Sequence, residues 1–270
     1  MSPFRGALVA ALSLLAAPEP LLACGHDGGP VVSLALDTKS NPPRVMGEGT
    51  AIDPLRPGVS IEVLCEAAQS AGLSLEFKRV PWARALHLVE HDRVDGIFHA
   101  SFTPERQAVM VYPTRGGQPD PERAIFHQAY KLYVRNDSPG SWDGANLIGV
   151  GDRAVGATRG YAVVAQLRTA GIAVEEEEEP ATNFRKLLAG RIAAVAELEG
   201  IADLLLATTD LKGQVRKLET PLTRKPYYLT FSRGFHRERT QDAERLWDKI
   251  RAINASPALH RIEARYRAGP

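Results

Sequence analysis

Between residues 31 and 99 the chain switches repeatedly between strand and helix periodicity. Residues 31–36 (VVSLAL) are a short, apolar, β-rich run, and residues 58–72 place Ile61, Leu64, Cys65 and Ala68 at helical spacing. Ser60 stands where a helix N-cap is expected and Gly72 where a helix ends. Residues 73–80 alternate, residues 82–91 are helical again, and residues 96–99 are a further apolar run. Strand, helix, strand, helix, strand in this order implies a mostly parallel sheet with helices on both faces. Such a sheet presents ligand-binding groups outside the carboxyl ends of its strands. The turn His99-Ala100-Ser101-Phe102-Thr103-Pro104-Glu105-Arg106 falls in that place. Arg106 and Ser101 are therefore candidates for holding an anionic group, because a guanidinium offers a planar fork that meets a carboxylate bidentately.

A second series of the same kind follows. It has strands at 147–156, 172–174, 192–197 and 215–218, with helices at 160–170, 183–189 and 201–207. Residues 125–134 and 227–232 are strand-like, residues 237–255 form one charged amphipathic helix, and residues 257–266 form a last one. A chain of 270 residues is long enough for two such lobes, each with its own core.

Composition narrows the function classes. With a formal net charge of +1, the chain lacks the basic excess of a nucleic-acid binder. Residues 6–17 (GALVAALSLLAA), preceded by Arg5, have signal-peptide length and are too short to span a bilayer. A cleavable leader over residues 1–23 is expected, the other reading being an apolar helix of the fold. Cys24 and Cys65 can pair in an oxidising compartment. Leu21-Leu22-Ala23-Cys24 also resembles a lipobox, which would make Cys24 a lipid anchor, and Cys65 can equally be a buried thiol.

Several stretches in succession resemble the family 3 extracellular solute-binding proteins, periplasmic receptors for polar amino acids and similar solutes. They are Pro57-Gly58 leading into Glu62-Val63-Leu64; Val80-Pro81-Trp82-Ala83-Arg84-Ala85-Leu86; Val94-Asp95-Gly96-Ile97-Phe98; and Ser101 to Arg106. Val155-Gly156-Ala157-Thr158-Arg159-Gly160-Tyr161 and Asn183-Phe184-Arg185-Lys186-Leu187-Leu188-Ala189-Gly190-Arg191 complete the set. The resemblance implies an α/β, two-lobed periplasmic binding protein-like (type II) fold, each lobe a mostly parallel sheet flanked by helices. Lobe 1 would comprise residues 25–125 with 227–270, and lobe 2 residues 126–226, joined by a two-strand hinge.

The resemblance also assigns roles. Ser101 and Arg106 would clamp a ligand carboxylate. By its own position, after a proline at a strand end, Trp82 reads either as an apolar wall of the cleft or as a core residue, and His99, just before the clamp, either as facing the cleft or as structural. Thr158, Arg159 and Tyr161, at a strand-to-helix junction suited to anions, would complete the site from lobe 2. An acid would meet the ligand's amine; Glu197 and Glu199 are near that place, but the position that aligns most directly holds Leu198. The first loop, Asn41-Pro42-Pro43-Arg44, lacks the aromatic that relatives often place there.

The function so implied is capture of a small polar, carboxylate-bearing solute, an amino acid or similar, by a periplasmic monomer without cofactor. The partner would be the membrane permease of an ABC transporter. The alternatives are a cyclohexadienyl dehydratase-like enzyme with Glu197 as acid, and a ligand-sensing subunit. The run of glutamates at residues 175–179 reads as a solvated loop or strand edge. The seven histidines are read as scattered, with no pair at metal-ligand spacing, so no metal site is expected.

Overall fold

The computed structural model describes residues 22–47 and 49–267. The expected leader lies outside them except for residues 22 and 23, which open the first strand, β1 (Leu22–Gly25). β2 (Val31–Asp37), β3 (Ser74–Val80) and β4 (Gly96–Ser101) alternate with α1 (Val59–Ala71) and α2 (Trp82–Glu90), as the periodicity predicts. Gly72 caps α1 in the left-handed conformation (φ 72°), donating its N–H to carbonyls of the last turn. Ser60 does not cap: Gly58 is the N-cap, and Ser60 is the second residue of the helix, buried with its hydroxyl unpartnered.

The expected polar turn holds a short helix, α3 (Pro104–Val109), started by Thr103, whose hydroxyl accepts the Arg106 N–H at 3.2 Å. β5 (Phe126–Arg135) then leads to β6 (Val155–Thr158), α4 (Ala162–Thr169), β7 (Val174–Glu177), α5 (Pro180–Leu188), β8 (Ala194–Leu198) and α6 (Glu199–Thr208). β9 (Thr223–Ser232) returns the chain to the first half, followed by α7 (Arg233–Glu238), α8 (Thr240–Asn254) and α9 (Pro257–Arg267). The single helix expected over 237–255 is broken because Arg239 leaves helical geometry (φ −130°, ψ 42°).

All nine strands lie in one curled sheet in the order β1-β3-β2-β4-β9-β5-β8-β6-β7, with two short strands, Met110–Val111 and Val215–Lys217, paired off this path. β2 is parallel to β3 and β4, and β6 is parallel to β7 and β8. Between these parallel trios run the antiparallel β9 and β5, in register from Thr223 opposite Tyr130 to Tyr227 opposite Phe126. They are the two-strand hinge of a type II two-lobed fold. The main core runs through both halves, with Trp247 of α8 under β9, and a smaller cluster around Tyr133, Phe184 and Val195 fills the second half.

Cys24 and Cys65 form a disulfide (Cα–Cα 5.5 Å) that ties β1 to α1. Both sulfurs are consumed, so neither the lipid-anchored Cys24 nor the free Cys65 is what this structure has. Closing a loop of 41 residues stabilises by about 4 kcal/mol in the chain-entropy account. The five glutamates fall mostly on β7, the edge of the sheet, and each has a cation partner: Lys186, Arg168, Arg159 or Lys39. Charged edges of this kind block unwanted strand pairing.

Candidate functional site: a closed cleft between two sets of strand ends

Ser101 is the last residue of β4, and Arg106 sits in the first turn of α3, so both face the carboxyl end of the sheet. Both are buried, at 1% and 8% exposure. Arg106 donates from one terminal nitrogen to the Ser101 carbonyl (2.8 Å) and hydroxyl (3.2 Å). The other terminal nitrogen crosses the cleft to the carbonyl of Gly160 (2.8 Å), between β6 and α4. Trp82, at the start of α2, donates its indole N–H to the same carbonyl at 3.3 Å, and its ring lies 5.4 Å from the guanidinium carbon.

Gly160 can meet both because it has φ 73°, a conformation that strains any residue with a Cβ. A Cβ there would also stand 3.6 Å from Trp82 and 3.7 Å from Leu86. A second bond crosses beside it: the Tyr161 hydroxyl donates to Asp37 at the end of β2, at 2.8 Å. Lys39 bridges at longer range, 3.7 Å from both Asp37 and Glu179. These contacts hold the two halves closed.

The cavity between them measures about 30 Å³, room for about one water molecule. Trp82, His99, Ser101, Arg106 and Tyr161 line it, as the sequence suggests. Leu198, which takes the place aligned with the acid of relatives, lines it too, as do Asp37, Lys39, Asn41, Tyr130, Ile201 and Tyr227, which sequence reasoning missed as contacts. Asp37 and Lys39 had a usable signal, since they follow directly from the end of a parallel strand. Tyr130 and Tyr227 had none, because which face of a hinge strand looks into the cleft depends on its pairing.

His99 reaches the cavity through a β-bulge. Tyr228 pairs with Ala100 and Leu229 with Phe98, so His99 is the extra residue, with φ 65°. Bulges of this kind re-aim a side chain. The ring is wedged edge-on against Phe98 and Phe126 at 4.9 and 4.6 Å, with Nε2 buried and unpartnered. Burial, helped by the positive charge of Arg44, pushes its pKa down to about 3, so His99 is neutral at physiological pH.

Three expected residues lie elsewhere. Arg159 turns outward to an exposed ion pair with Glu178 at 2.9 Å. Thr158 and Glu197 sit behind the cavity wall: the Thr158 hydroxyl donates to Glu197 at 2.5 Å, and the other carboxylate oxygen accepts the Leu198 N–H at 2.8 Å. Full burial pushes the Glu197 pKa up to about 7 against these two bonds. The residues of β8 and α6 that do reach the cavity are Leu198 and Ile201, so the wall there is apolar.

A larger cavity of about 710 Å³ opens near the start of β5, the end of α8 and the first half of α9, between Arg44, His127, Arg224, Arg251 and Asn254. None of the expected site residues lines it. The small cavity has the better claim to be the site, because strand ends from both halves converge there on one guanidinium. The histidines depart from expectation: His87 on α2 and His91, the C-cap of that helix, lie four residues apart.

No helix among the described residues is long and apolar enough to cross a membrane. Comparison with solved structures agrees on the fold. A histidine kinase sensor domain with similarity to periplasmic binding proteins superposes with a TM-score of 0.70 at 17% identity, covering 89% of this chain and 97% of its own. The GluR0 ligand-binding core from Nostoc punctiforme in complex with L-glutamate gives 0.65 at 16%, covering 87% and 98%. The arginine-, lysine-, histidine-binding protein ArtJ from Geobacillus stearothermophilus gives 0.67 at 16%, covering 88% and 96%. No curated protein matches the sequence. Residues 35–269 match the bacterial extracellular solute-binding proteins, family 3, and with nearly the whole described chain in that match, the protein belongs to this family.

Proposed function

We propose that the protein captures a small, polar, carboxylate-bearing solute, an amino acid or similar, between its two lobes and passes it to the membrane permease of an ABC transporter. One observation carries the reading: the buried Arg106 holds its own lobe through Ser101 and the opposite lobe through Gly160. A ligand carboxylate taking the guanidinium fork inherits a group already placed at the junction of the lobes. It then stabilises the closed state in proportion to its preference for that state. Structural neighbours reported with L-glutamate or as arginine-, lysine-, histidine-binding support a solute of this size and charge.

The moving bodies in this reading are residues 25–125 with 227–270, and residues 126–226. The protein acts as a monomer outside the cytoplasm, exported by a leader within residues 1–23. It binds rather than catalyses, because Glu197, the acid with a pKa near neutrality, stands behind Thr158 instead of on the cavity wall. Turnover of prephenate or arogenate, lost in Glu197→Gln, would overturn that statement. The sensor-domain neighbour favours a second reading, a ligand-sensing subunit, which shares the same site and differs only in the partner.

The test is a thermal-shift screen of amino acids, polyamines and organic acids, followed by calorimetry of any hit. At a hundredfold over Kd a ligand adds about 2.7 kcal/mol, or roughly 5–10 °C for a chain near this size. A hit that binds Arg106→Ala as tightly as the wild type would sink the assignment.

A further inference from the structure

The last turn of α2 carries chemistry that the cleft does not use. Glu90 and the C-cap residue His91 stand three and four residues after His87, on its side of the helix end. One ligand atom from each lies within 4.8 Å of the others, and all three residues are exposed. We propose that this group is a binding site for a divalent transition-metal ion of the zinc, nickel or copper class. Two imidazoles with one carboxylate suit those ions, whereas calcium and magnesium require oxygen ligands.

The geometry is partly set already. The two imidazole rings lie with centroids 4.1 Å apart, their planes tilted by 40°. His91 Nδ1 lies 2.9 Å from the His87 carbonyl oxygen. A carbonyl can only accept, so in the tautomer that completes this bond Nδ1 carries the proton and Nε2 offers its lone pair to a metal. This is the arrangement in which a histidine ligand is oriented by a backbone carbonyl behind it. Bonds of about 2.0–2.1 Å to a tetrahedral ion put ligand atoms roughly 3.3 Å apart. Exposed side chains reach that spacing by rotating, without moving the backbone. A cation there also lies over the carbonyl end of α2, where the helix dipole favours positive charge. Three protein ligands leave a coordination position for water.

The test is calorimetric titration of the untagged, chelator-washed protein with zinc chloride and nickel chloride. One saturable site is expected for the wild type below about 100 μM metal, and no heat of binding with calcium chloride. His87→Ala and His91→Ala should each weaken binding tenfold or more and Glu90→Gln several-fold, while His260→Ala, an exposed histidine outside the group, should leave it unchanged. All four changes are on the surface, and unaltered circular dichroism spectra would show that the variants fold. Absence of a saturable isotherm for the wild type, or the same isotherm in His87→Ala and His91→Ala, would overturn the site.

Discussion

The two lobes face the cleft with similar strand-to-helix junctions that aim their arginines in opposite directions. In the first, Thr103 caps α3, and Arg106 folds inward onto Ser101, whose carbonyl also accepts the Tyr112 hydroxyl at 2.9 Å. In the second, α4 has no side-chain cap, Arg159 swings out to Glu178, and the junction offers the Gly160 carbonyl to the cleft. The surrounding charge accounts for the difference. β7 and its flank line up five glutamates that recruit nearby cations, whereas the Arg106 fork lies among neutral acceptors and the Trp82 ring. In the proposed capture, one lobe would supply a cation to the solute, and the other carbonyl, hydroxyl and apolar wall.

This asymmetry can be broken residue by residue. The largest effect belongs to Arg106→Ala, which removes the only arginine on the cavity wall among the described residues. A hydrogen-bonded charge pair desolvated in a cleft costs about 2–5 kcal/mol when one partner is truncated, so solute affinity should fall a hundredfold or more by calorimetry. Arg106→Lys keeps the charge and loses the fork, and should fall in between.

The next effect is on stability and depends on pH. The Glu197 carboxyl is raised to about 7 in the fold by burial, against about 4.3 in an unfolded chain. Its folded form binds the proton more readily, so its contribution is fully present below about pH 4.3 and is lost as pH rises through about 7. Relative to Glu197→Gln, the wild type should lose on the order of 3 kcal/mol between pH 4 and pH 8. Urea denaturation of both proteins across that range measures it, and parallel curves would show that Glu197 is not held as described.

A smaller loss is expected from Tyr161→Phe, which removes the donor of the bond to Asp37 across the cleft. A hydrogen bond to a charged group contributes about 1.5–3 kcal/mol. Because this bond joins the lobes only when they are closed, solute affinity should fall roughly tenfold while the melting temperature without solute changes little. Arg159→Ala should do least: its ion pair is exposed at both ends, and such pairs contribute about 0–1 kcal/mol. A change in solute affinity beyond about twofold would mean that Arg159 turns inward when the solute binds.

The order of strands and helices and the cationic turn at the end of β4 were legible in the sequence, because periodicity and strand-end placement are local properties. Arg106, Ser101 and Trp82 could be found that way. The cavity's other walls could not. His99 enters through a bulge defined by its pairing with β9, and Tyr130 and Tyr227 enter because β5 and β9 are antiparallel in one register. The carboxyl nearest the amine position looked available in the chain and proves to be spent on Thr158.

By itself, then, the sequence determined the order of most strands and helices, that the sheet has two series, and which end of it carries the cationic turn. Only the tertiary structure decided that Cys24 meets Cys65, that Arg106 crosses to Gly160 while Arg159 turns away, and that His99 is held neutral. The reason is range. A hydrophobic period is read over neighbours in the chain, but the direction of a side chain and the charge it meets are set by residues brought close from the other lobe.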